Sequence, residues 1–290
     1  MNTKPSSLAH CLLVLLALLV CACEKAYIDL DGETPAGKGN LNISVFQIEQ
    51  TPFTDYTRTA AADACTRLNF AVYNTAGTRV KQTNQQLGNA GFGSASFQLE
   101  EGTYQLVIVG HSSNGNPTMT NPAKIQFTNA QGFSDTFLYS HTVEVNDEAQ
   151  SLQVSLNRIV SLCRFVITDD YPEGVTRMRF KYTGGSGAFN AYTGFGCVKS
   201  TQTVTFDVAT GKKQFDLYTF LHETTGVIEL EVTALDAVDN VLNQRDFRVP
   251  LQQNKITWCE GDYFNDDDSH NSTVDIDINT KWDGEIRITF

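Results

Sequence analysis

Alternation with a period of two is the feature that most constrains this chain. Leu41, Ile43 and Val45 alternate with Asn42 and Ser44, and Leu68, Phe70 and Val72 alternate with Asn69, Ala71 and Tyr73. Ala95, Phe97 and Leu99 form another such set. Successive side chains of a strand point to opposite faces of a sheet, so these runs read as half-buried strands. No segment carries a helical period over more than two turns. The chain is therefore read as all-β, with its strands packed as two sandwiches in tandem.

Local detail refines that reading. Tyr104 to Val109 is almost wholly apolar or β-branched, as a central strand would be. Between Leu41 and Ile48 the phase slips at Phe46, as a bulge requires. Shorter strands are expected around Ile125–Phe127, Phe137–Tyr139 and Val143–Val145. Leu152, Val154 and Leu156 alternate, and an apolar run begins again at Ile159. The division between sandwiches is placed near 150–160, giving an N-terminal sandwich over 41–156 and a C-terminal one over 157–290. In the second, Arg177, Arg179 and Lys181 form a cationic strand face, and Glu229 and Glu231 an acidic one. If those strands pair, cross-strand ion pairs of a few tenths of a kcal/mol each follow.

Ahead of the first strand, Lys4 precedes the wholly apolar run Leu12–Val20, which ends in Cys21-Ala22-Cys23. The run is too short for a membrane span of roughly 20 residues and suits a signal peptide over 1–22. Its end resembles a bacterial lipobox, with Ala22 in the small position and Cys23 as the lipid-attachment residue. A plain secretory signal is the alternative. No Asp follows Cys23, so an outer-membrane tether through acyl chains is expected. Residues 23–40 hold Gly32, Pro35, Gly37 and Gly39 among polar residues and read as a flexible spacer.

The net charge of −12 becomes one unit more negative when Lys4 leaves with the leader. Such a chain repels nucleic acid and anionic lipid, so membrane attachment must come from the lipid. Cys65, Cys163, Cys197 and Cys259 remain, an even set compatible either with two disulfides or with buried free thiols. Catalytic patterns are missing. Gly110–Asn114 and Gly184–Ala188 each lack the second Gly of a nucleophile elbow. His111, His141, His222 and His270 are scattered, and Asp266–Asp268 lacks the alternating ligands and the Gly of a calcium loop. No enzyme activity, cofactor or metal is expected.

Several stretches carry a resemblance. Cys65–Tyr73 (CTRLNFAVY), Glu101–Val109 (EGTYQLVIV) and His111–Pro117 (HSSNGNP) look like the FimB-type fimbrial subunit family of Bacteroidales. Asp147–Gln150, Tyr182–Gly185, Thr193–Cys197 and Thr233–Asp236 continue the likeness in order along the chain. The resemblance implies a lipoprotein of two transthyretin-like β-sandwiches, serving as the anchor or an accessory subunit of surface fimbriae. It also implies a mode of assembly. An arginine-specific protease removes the first strand of a stalk subunit, and the next subunit's C-terminal strand fills the groove. An anchor keeps its first strand and its lipid, and donates its own C-terminal strand to the shaft.

On this chain those roles fall to Cys23 for the lipid and to 285–290, with Ile286, Ile288 and Phe290, for the donor strand. The same segment also reads as an ordinary closing strand of the second sandwich. Arg58 follows the first strand about where a processing protease would cut, and an ordinary loop arginine is the alternative; cleavage there would make the protein a polymerising shaft subunit. The expected partners are fimbrial shaft or accessory subunits. A glycan-binding surface lipoprotein is the competing class. It wants several exposed aromatics on one plane, and Trp258 and Trp282 both lie in strand-like patterns that suit core packing.

Overall fold

The structure is a computed structural model, and it describes residues 39–49, 58–59, 64–128, 133–208, 210–265, 274–275 and 285–290. Its elements are strands. The first five are β1 (Leu41–Glu49), β2 (Arg58–Thr59), β3 (Arg67–Tyr73), β4 (Arg79–Gln86) and β5 (Ser94–Phe97). The next five are β6 (Gly102–His111), β7 (Thr118–Asn121), β8 (Lys124–Gln126), β9 (Thr136–Val145) and β10 (Gln150–Arg158). Then come β11 (Ser161–Ile167), β12 (Arg177–Thr183), β13 (Ala188–Asn190), β14 (Phe195–Gly196) and β15 (Gln202–Asp207). The chain continues with β16 (Gln214–Thr219), β17 (Thr225–Leu235), β18 (Val241–Gln252) and β19 (Ile256–Gly261). It ends with β20 (Val274–Asp275) and β21 (Glu285–Thr289).

One seven-strand pattern occurs twice. In the first sandwich β1 runs parallel to β10 and antiparallel to β5, while β4, β3, β6 and β9 form an antiparallel layer opposite. In the second, β11 runs parallel to β19 and antiparallel to β16, opposite an antiparallel layer β15-β12-β17-β18. Each layer pair encloses its own core, because alternate side chains of both layers face inward. Leu41, Ile43, Val45, Ile48, Leu68, Phe70, Leu106, Ile108 and Val154 make the first. Phe165, Met178, Phe180, Phe215, Leu230, Val232, Phe247 and Val249 make the second.

A third core joins the two sandwiches. β7 and β8 from the first half pair with β13 and β14 from the second in one four-stranded sheet. That sheet encloses Ala71, Tyr73, Val107, Val109, Met119, Phe127, Phe189 and Phe220. Both faces of β6 are thus covered, which explains why Leu106 to Val109 carries no polar residue. The passage from β10 to β11 is only Ile159 and Val160, both buried in this core. Beside it Arg158, its side chain 2% exposed, pairs with Asp135 at 2.6 Å and reaches Asn254 at 3.4 Å.

Several sequence expectations meet their structural counterparts. The β1–β10 register shifts between Val45 and Gln47, the bulge anticipated at Phe46. β12 and β17 do pair, with Lys181 opposite Glu231 and their charged groups 3.6 Å apart. Elsewhere on that face Arg177 meets Asp239 at 2.9 Å and Glu229 meets Arg248 at 3.4 Å. Other expectations need correction. Phe137–Tyr139 and Val143–Val145 are one continuous ten-residue strand, because β6 pairs with β9 through the polar stretch between them. Trp258 is not in a core. It lies on the outer face of its sheet, with Cys259 on the inner one. Trp282, His270 and Asp266–Asp268 lie outside the described residues.

Cys65, Cys163, Cys197 and Cys259 form no disulfide with one another. Cys163 and Cys259 come closest, with sulfurs 3.8 Å apart. Cys163 is opposite Thr257 and Cys259 opposite Phe165, so the two cysteines sit two residues out of register. Strand spacing and rise then put their Cα atoms roughly 8 Å apart, beyond the reach of a disulfide.

Candidate functional site

The two ends of the described chain are both strands laid parallel to a domain's last strand. β1 sits inside its sheet, between β10 and β5. Asn40 fastens its start: its side chain donates to the Leu99 and Asn146 carbonyls and accepts from the Leu99 amide. Arg58 lies in β2, whose backbone pairs with β1 at Glu49. Cys23 lies outside the described residues.

β21 is different, because it occupies a sheet edge. It runs parallel to β19, with Ile286 opposite Thr257, Ile288 opposite Cys259 and Thr289 opposite Glu260. The sequence Glu-Ile-Arg-Ile-Thr-Phe alternates, so one face turns to the core and the other outward. Ile288 is 5% exposed within the second core. Phe290 stacks on Phe165 with ring centroids 4.9 Å apart and meets Phe247 edge-on at the same distance. Full burial of a large apolar side chain such as Ile288 contributes roughly 1.5–3 kcal/mol, and the partly buried Phe290 contributes less. The Arg245 guanidinium closes the pocket 5.6 Å from the Phe290 ring.

Outside, Arg164, Trp258 and Arg287 stand in one row across β11, β19 and β21. The guanidinium of Arg164 lies 4.9 Å from the Trp258 ring and that of Arg287 lies 4.6 Å from it. Such cation–π contacts add about 0.5–1 kcal/mol each at exposed sites. Arg287 also faces Glu260 at 3.8 Å, an exposed pair worth little. Gly261 permits the whole arrangement, since a Cβ there would overlap the main-chain oxygen of Phe290. Gly261, Phe165, Phe247 and Arg245 escape a sequence reading, because nothing local marks a glycine or a phenylalanine as part of a strand pocket.

The remaining sequence candidates resolve into structural roles. Ser186, in the Gly184–Ala188 run, is buried and donates its hydroxyl to the Ala188 carbonyl. Gly185 is required there because a Cβ would overlap Thr219. His111 is buried, with Nε2 2.8 Å from the Asn69 side-chain oxygen. Burial, and secondarily the charge of Arg67, lowers its pKa from 6.5 to about 4. Among the described residues no three His, Cys, Asp or Glu side chains gather as a metal site. Beside the exposed ring of Tyr192 there is an open cleft of about 460 Å³, lined also by Arg79, Thr120 and Asn121. Tyr192 is the single exposed aromatic among the described large apolar side chains, short of a planar sugar platform.

No curated protein matches the sequence. Among solved structures, a "putative adhesin" from Bacteroides ovatus is 12% identical, covering 85% of this chain and 91% of its own, with a TM-score of 0.49. The fimbrial anchor protein Mfa2 from Porphyromonas gingivalis is 13% identical over 70% of this chain and 80% of its own, at a TM-score of 0.41. A fimbrial assembly protein from Parabacteroides distasonis is 12% identical over 76% and 89%, at 0.37. A family match begins at residue 33, ahead of β1, and runs through β21 to Phe290. Both sandwiches and the terminal strand therefore fall within it, and the chain belongs to the family described as "Family of unknown function (DUF6562)".

Proposed function

We propose that this chain is a lipid-tethered subunit of surface fimbriae, acting as the anchor that joins the shaft to the outer membrane by strand donation. In this reading residues 1–22 are a signal peptide, Cys23 carries the acyl chains, and 23–40 hold the sandwiches off the membrane. The FimB-type likeness of the ordered motifs from Cys65 to Asp236 supports the assignment. The observation that carries it is that β21 is surplus to the repeat. Among the described residues the first sandwich is built from seven strands, and the second has the same seven with β20 and β21 added at its edges. A terminal edge strand with an alternating apolar face can pair with another chain by the same backbone hydrogen bonds it uses here.

Purification from native membranes tests the reading. The mature protein should carry acyl chains on Cys23 and bring other fimbrial subunits with it. Cys23→Ala should release the protein from the membrane fraction, since a lipid chain contributes about 0.8 kcal/mol per buried CH₂. A mutant that stays firmly membrane-bound, or a wild type that carries no subunits, would count against it.

A further inference from the structure

The two sandwiches share a topology but differ at one margin. In the second, β20 pairs with β18 at Phe247 and Arg248 and β21 lies along β19, so each strand bordering the opening between the layers has a partner there. The equivalent strands of the first are β9 and β10. Among the described residues their backbones pair only at Asn157–Leu138 and Arg158–Phe137, the Gln150 side chain donates to the Glu144 carbonyl at the far end, and no other strand lies along them on that side.

The side chains register the difference. Phe137, Tyr139, His141, Val143 and Val145 alternate along β9 toward the first core. Phe137 and Val145 are buried, yet Tyr139 and Val143 are half-buried and His141 is exposed. Leu152 on β10 is likewise half-buried. On β18 of the second sandwich the corresponding row Phe247, Val249 and Leu251 is fully buried. The backbone agrees. The Gln150 amide donates toward β1, to the Asn40 carbonyl, so alternation turns the amides of Ser151, Gln153 and Ser155 toward the open margin.

We infer that this β9–β10 margin is a docking edge for the C-terminal strand of a neighbouring subunit, laid parallel to β10 as β21 is laid along β19. The inference rests on the reading of β21 as a strand that pairs between subunits. The occupant follows from the internal comparison. The strand that covers the same margin in the second sandwich is five residues long, and Ser151–Ser155, paired to β1 on one side, has among the described residues no strand partner on the other. An apolar row like Ile286, Ile288 and Phe290 would cover Tyr139, Val143 and Leu152. Its polar row would lie beside Ser151, Gln153 and Ser155, as Arg287 lies beside Trp258. Retention of β1 is no obstacle, because β1 pairs with the opposite side of β10.

Disulfide trapping tests this on the chain from residue 23 onward, with Cys23→Ala and Cys197→Ala to remove accessible thiols. The probe is a synthetic Asp283–Phe290 peptide with Cys in place of Arg287. Single cysteines are introduced as Gln153→Cys at the margin, Glu260→Cys beside the chain's own β21, and Thr203→Cys on the free edge strand β15. Trapping at Gln153→Cys should exceed that at Thr203→Cys at least ~10-fold, and Val143→Arg should abolish it, because it sets a charge where apolar side chains must pack. Trapping at Glu260→Cys alone would show the peptide replacing the chain's own strand, which overturns the docking edge and leaves strand exchange standing. Equal trapping at all three positions, or none at Gln153→Cys, overturns the inference.

Discussion

The main-chain oxygen of Phe290 rests against the α-carbon of Gly261, where any Cβ would overlap it. The end of the chain can close over the second core only because residue 261 has no side chain. Gly261 therefore gives a way to disturb β21 without touching the strand itself. Gly261→Val should expel β21 and leave the rest of the second core in place. Loss of burial at Ile288 and Phe290 should speed amide exchange of Ile286–Thr289 roughly 10- to 100-fold. The amides of Leu106–Val109 should exchange as before. Unchanged protection at Ile286–Thr289 would show that the close approach is not what holds the strand.

The buried imidazole of His111 predicts a pH dependence. It is neutral in the fold, taking a hydrogen bond from the Ser113 amide on Nδ1 and facing Asn69 with Nε2. Its pKa falls from 6.5 to about 4, so the unfolded chain binds a proton that the fold refuses. Stability should thus fall as pH drops from about 6.5 toward 4, by about 3 kcal/mol in all. His111→Gln should flatten that part of the curve in denaturant titrations. Equal slopes in the two proteins would remove His111 as the cause.

Thiol chemistry separates the two sequence readings of the cysteines. Burial pushes the Cys65 thiol up to about 12, and contact with Cys259 together with burial holds Cys163 well above its ordinary value. Cys197 alone of the four is exposed. In a chain starting after Cys23, an aromatic disulfide reagent should titrate one thiol in the native protein and all four after unfolding without reductant. Fewer than four after unfolding would reveal a disulfide.

Much of this architecture was legible in the sequence, for a physical reason. Wherever one sheet face is buried and the other wet, the period of two appears, as in β12 with Met178, Phe180 and Tyr182 all buried. Legibility failed where a strand buries neither face well. β4, Arg79 to Gln86, is an edge strand without a buried residue, and its polar sequence gives no strand signal. Trp258 misled because a large aromatic usually enters a core, whereas here two guanidinium groups cover it from neighbouring strands. The terminal site was half visible. Alternation marks Ile288 and Phe290, but their pocket is assembled from Phe165, Phe247 and Gly261 on three other strands, a long-range fact without a local pattern.

Processing at Arg58 would divide β1 from the rest of the chain. The anchor reading predicts that mature protein from native membranes begins at acylated Cys23 and retains Leu41 to Ile48. A dominant N-terminus at Thr59 would instead identify a polymerising subunit, because loss of β1 would uncover the pockets of Leu41, Ile43, Val45 and Ile48.

The central claim is that β21 belongs to assembly more than to the fold. Deleting Glu285–Phe290 tests it most directly, with thermal unfolding and retention of partner subunits measured on the same protein. The buried Ile288 and the partly buried Phe290 leave the second core, so stability should drop by roughly 2–5 kcal/mol, within what a domain of this size can lose and remain folded. The account predicts a soluble chain that unfolds in one cooperative transition at a lower temperature and no longer retains fimbrial subunits. A truncated chain that is unfolded or aggregated would contradict it, as would one that still holds its subunits.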